Sequence, residues 1–183
     1  MSDRPGAGTT HRPHARGLRV DRLGIYLNDH LAGATVGTER ARHLAQANRG
    51  SAVGETVRPI AAEIAQDRAS LREIMRQLDV PVQRYKVYAG RLAERLGRLK
   101  PNGNLIHRSP LSTLLELELL RIGVEGKAAA WRTLRRAADD DDRLDSDQLD
   151  RLLERARRQM ETLEDLRLRQ VDPALRANEP PEG

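Results

Sequence analysis

Five residues put polar, chemistry-bearing side chains where helical spacing calls for apolar ones: His30, Glu63, Asp67, Glu118 and Glu125. Residues three, four and seven apart share one face of a helix. His30 falls between Leu27 and Ala34, with Tyr26, Gly33 and Gly37 beside it. Asp67 falls among Ile60, Ile64, Leu71 and Ile74, with Glu63 one turn earlier at the edge of the stripe. Folding the chain about Gly50 and Ser51 sets His30 within about one helical turn of Asp67. A buried carboxylate without a partner is costly, so a buried His30–Asp67 pair is expected to satisfy both groups. Glu118 and Glu125 share a face with Leu111, Ile122 and Ala129, near Arg121 and Arg132.

Two chemistries suit such a set. Carboxylates and an imidazole inside a helical bundle could hold iron or manganese, with His30, Glu63, Asp67, Glu118 and Glu125 as ligands. Di-metal bundles also need Glu-x-x-His motifs. The five histidines here are His11, His14, His30, His43 and His107, and none completes that motif. The favoured reading is structural: a His30–Asp67 pair that fixes helix register, and an ion-paired face of Glu118, Arg121, Glu125 and Arg132. Tyr26 reads as a core ring with its hydroxyl at a rim, and Trp131 as a core anchor. Asp139 to Asp142 lack the glycine and terminal glutamate of a calcium loop and read as a solvated turn. Arg91, Arg95, Arg98 and Lys100 form a basic stripe that Glu94 interrupts. No glycine-rich phosphate loop or nucleophile elbow is present.

The elements that must position these residues are helices, because β-branched runs of period two are missing. Periodicity and punctuation predict helices over about 21–47, 55–78, 82–99, 110–138 and 145–169. Pro59 is expected near the first turn of the second, where its missing N–H costs little. Pro81 ends that helix, and Pro101, Asn102 and Gly103 end the third. Ser109 and Pro110 supply an N-cap and first residue for the fourth. Its run of Leu111, Leu114, Leu115, Leu117, Leu119, Leu120, Ile122 and Val124 predicts a central helix, apolar nearly all round. Asp145 with Gln148 resembles a capping box for the last. The order is hairpin, long connection, hairpin: an all-α four-helix bundle with an additional crossover helix over 82–99. Residues 18–171 form the bundle domain, between disordered tails over 1–17 and 172–183.

Composition narrows the function. The 183 residues contain no Cys, which excludes disulfides, thiolate metal sites and cysteine nucleophiles. Aromatic residues are 2% of the chain, too few for a base-stacking platform. Lys plus Arg number 32 against 27 acids, a net charge of +5 that makes nucleic acid an unfavoured partner. No apolar run is long enough to span a membrane. The first 17 residues lack an export pattern, so a cytoplasmic protein is expected.

The segments YLNDHLAG (26–33), EIAQDRASL (63–71), LGRLKPNG (96–103) and SPLSTLLELELLRIGVEGK (109–127) resemble an uncharacterised family of small bacterial proteins that is similar to the ferritin-like four-helix bundles. The likeness covers about residues 20–170 and implies the fold. It implies His30 on the first helix, Glu63 and Asp67 on the second, and Glu118 and Glu125 on the third main helix. The resulting expectation is a non-catalytic structural or interaction module, acting with a helical protein partner or as a homodimer. Its expected binding surfaces are the Gly33/Gly37 groove and the apolar excess of the helix over 110–138. A divergent carboxylate/His metal protein is the second expectation, and a weak nucleic-acid-associated protein using the 82–99 helix is the third.

Overall fold

The computed structural model describes residues 20–83 and 110–176. They form α1 (Val20–Ala47), α2 (Ala52–Gln77), α3 (Pro110–Ala137), α4 (Ser146–Arg169) and α5 (Val171–Leu175). Among the described residues there is no strand, and no helix is long and apolar enough to cross a membrane. The expected helix over 82–99, its basic stripe, the Ser109 cap and residues 1–17 lie outside the described residues.

Local chemistry sets the helix ends. Ser51 caps α2 by accepting from the Gly54 N–H at 3.3 Å, so α2 begins earlier than position 55. Pro59 therefore lies two turns inside α2 rather than in its first turn, and leaves the carbonyl one turn before it without its helical donor. At the other end Asp79 adopts a left-handed φ of 56°. Its N–H donates to the Arg76 carbonyl at 3.2 Å, and that of Val80 to Met75 at 2.8 Å. This is a Schellman motif. Asp145 caps α4 by accepting from the Gln148 N–H at 3.0 Å, as its spacing predicts. After Gln170 the chain bends into α5 rather than into a tail at 172; Pro173 fits there because first-turn N–H groups have no helical acceptor.

α1 and α2 pack as one antiparallel hairpin, α3 and α4 as another, and α1 joins them by packing on α3. Contacts fix the directions. Asp67 of α2 meets Lys127 of α3, while Arg143, beyond the end of α3, reaches the Leu78 carbonyl beyond the end of α2. α2 and α3 therefore run parallel, and the described ends at Gln83 and Pro110 lie at opposite ends of the bundle. Asn28, 4% exposed, holds the segment that leaves α2. Its amide donates to the Gly24 carbonyl at 2.8 Å and the Pro81 carbonyl at 3.1 Å, and its oxygen accepts from the Gln83 N–H at 2.9 Å.

The core gathers Leu27 and Leu44 of α1, Val57, Ile74 and Met75 of α2, Leu117, Trp131 and Leu134 of α3, and Leu149 and Leu163 of α4. Burying each such side chain contributes about 1.5–3 kcal/mol before entropy is charged. α3 differs from expectation. Leu114, Leu117, Leu120, Val124, Ala128 and Trp131 are buried, but Ile122 is 64% exposed and Leu111 41% exposed. Among the described residues, neighbouring helices cover one stripe of α3, Leu115 and Leu119 beside it are half-buried, and Leu111 and Ile122 are exposed.

Candidate functional site

The His30–Asp67 pair does not form. Asp67 is 1% exposed, and its carboxylate takes two cations from the other hairpin. Oδ2 accepts a hydrogen bond from the Lys127 ammonium, and Oδ1 forms an ion pair with the Arg155 guanidinium. Lys127 also donates to Gln159 Oε1 at 2.5 Å. The Gln159 amide, 2% exposed as a residue, donates to Glu63 Oε2 at 2.7 Å. Arg155 donates to Gln66 Oε1 at 3.2 Å. The result is a polar chain across α2, α3 and α4. The hairpin fold does bring His30 and Asp67 to the border of one cleft, but the stripe carrying Asp67 also faces α3 and α4, and charge decides the partner.

Electrostatics follow from this placement. Burial lowers the Lys127 pKa, and the Asp67 carboxylate partly opposes that shift. His30 packs edge-on against Tyr26, with ring centroids 4.6 Å apart. Burial lowers its pKa as well, against a smaller upward pull from Asp29.

The five residues considered as metal ligands do not converge. Glu118 faces Arg167 at 3.5 Å, within a surface group that includes Arg121, Glu164 and Arg167. Glu125 pairs with Arg132 at 2.7 Å on the outside of α3. Among the described residues no three His, Asp or Glu side chains are placed to hold a metal ion. An iron or manganese site built from His30, Glu63, Asp67, Glu118 and Glu125 does not fit this geometry. Asp139 and Asp141, in the turn after α3, are bound to Arg135, Arg136 and Arg143.

The cleft itself lies between α1, α2 and α3 and has a volume of about 300 Å³. That is at the small end of small-molecule sites. Gly33, Ala34 and Gly37 of α1 form one wall, and Leu119, Leu120, Gly123 and Val124 of α3 the other. A Cβ at Gly33, Gly37, Gly123 or Gly126 would meet nothing within 4 Å, so these glycines open space rather than admit a neighbouring backbone. One end is polar, with His30, Arg68, Lys127 and Trp131. Trp131 is 1% exposed, and its indole N–H is buried without a hydrogen-bond partner among the described residues. The same holds for the Nε–H of Arg68.

Reading polar residues on apolar stripes found Asp67 but missed Lys127 and Gln159. The same signal marks both: Lys127 sits between Val124 and Trp131, and Gln159 between Ala156 and Leu163, at helical spacing. Arg68, between Ile64 and Leu71, carries it too, whereas Arg155 does not. Compared with protein-family models, curated proteins and solved structures, the chain matches none.

Proposed function

We propose that this protein is a non-catalytic binding module, and that the cleft between α1, α2 and α3 is its working surface. The cleft carries the reading: the Gly33/Gly37 groove singled out in the sequence lines one opening together with Leu119, Leu120 and Val124 from the apolar run of α3. Hairpin, long connection and hairpin with parallel α2 and α3 support kinship with ferritin-like bundles. The occupied state of each carboxylate supports a structural role for the polar residues over a metal-binding one. The cytoplasm is the proposed location.

The test uses Nile red, a neutral solvatochromic dye, with the full chain. Saturable binding of one dye per chain, lost in Gly37→Leu, is the expected result. The added isobutyl group would occupy open space, so the variant should keep its helical circular dichroism. Dye binding that Gly37→Leu leaves unchanged overturns the reading. A second reading, a homodimer, rests on Ile122, 64% exposed beside Gly123; it predicts a dimer in sedimentation that Ile122→Asp dissociates.

A further inference from the structure

The cleft has a polar end and an apolar body, and the two imply a particular ligand. The span of α1 from His30 to Arg40 is about 15 Å at 1.5 Å per residue. Glycines and aliphatic side chains line most of it, and the exposed Arg40 borders its far end. At the polar end, Arg68 has no carboxylate partner among the described residues, and its Nε–H makes no hydrogen bond. The Trp131 N–H is likewise unpaired. Both groups can only donate. Buried donors left unmade are costly, and the two side chains that carry them both line the cleft. Lys127 lines the same end, but the Asp67 carboxylate beside it holds and offsets its charge, which leaves Arg68 as the unpaired cation there among the described residues. Asp29 lines the cleft too, but it is exposed.

We propose that the cleft binds an amphipathic carboxylate, a medium-chain fatty acid in chemical class. The carboxylate accepts from Arg68 and Trp131, and the alkyl tail lies along the glycine-lined seam of α1 and α3. This rests on the cleft being the binding surface and adds the chemistry of its ligand. The glycines supply room for a tail, the unpaired donors supply the recognition of an anion, and Arg68, which has no carboxylate partner among the described residues, has its charge left for the ligand.

The chain reports occupancy itself, because Trp131 is its one tryptophan. Decanoate and decyltrimethylammonium are titrated into the full chain below their critical micelle concentrations. Decanoate is expected to change Trp131 emission saturably at one per chain, and the cation is not. Arg68→Gln should weaken decanoate by about tenfold or more, the worth of one charge-assisted hydrogen bond. Equal binding of the two probes, or an Arg68→Gln variant with unaltered affinity for decanoate, overturns the proposal. If Nile red binds in a Gly37-dependent way while decanoate does not, the cleft reading stands and the anion falls. If neither binds, both fall. A dimer that Gly37→Leu dissociates makes a second copy the occupant and also overturns the fatty-acid proposal.

Discussion

Asp67 has the most consequential side chain among the described residues, because one carboxylate pairs with two cations from two other helices. The side chains of Lys127 and Arg155 are only 13% and 21% exposed. Asp67→Ala strands both, and breaking such a buried pair costs about 3–5 kcal/mol; urea unfolding should show a fall near the lower figure. His30 gives a second prediction. Burial lowers its pKa, so between the folded value and about 6.5 the unfolded chain binds more protons. Stability should therefore fall as pH drops below about 6.5. His30→Gln should flatten that part of the profile of urea midpoint against pH; an unchanged slope would reject the assignment. At this scale the sequence marked Asp67 as a polar residue on an apolar stripe, but not its partner. Periodicity gives a residue's angle on its own helix, whereas a partner depends on how whole helices rotate against each other.

At the scale of elements, glycines separate into two kinds. A Cβ on Gly54 would lie 2.2 Å from the Asn48 carbonyl oxygen, and backbone at the start of α2 cannot yield cheaply. Gly54→Ala should destabilise by about 1–3 kcal/mol, as overpacking does. Gly33 and Gly123 face open space inside helices. There Gly→Ala should stabilise by about 1 kcal/mol through helix propensity. Thermal melts of the three variants check both signs. The helix borders were largely legible: Asn48 and Gly50 mark the end of α1, and Asp145 the start of α4. The start of α2 was not, because Ser51 precedes Val53 and Gly54, which read as loop until the Ser51 hydroxyl is seen to hold the Gly54 N–H. α5 was missed because five residues are too short for periodicity to register.

For the molecule as a whole, the polar chain from Glu63 to Arg155 ties the α1–α2 hairpin to the α3–α4 hairpin. Core residues of all four long helices meet in one hydrophobic cluster. Unfolding should be a single transition, with Trp131 fluorescence and far-ultraviolet circular dichroism superimposing in urea. Separated midpoints would show hairpins that melt independently. The α class, the hairpin order and most helix borders were determined by the sequence alone, since apolar period and capping chemistry are local properties of the chain. Tertiary structure decided that Asp67 answers to Lys127 and Arg155, that Glu118 and Glu125 face arginines outside the core, and that glycines of α1 and α3 open one cleft. Those outcomes depend on the relative rotation and register of packed helices, which packing fixes over the whole bundle and no single segment encodes.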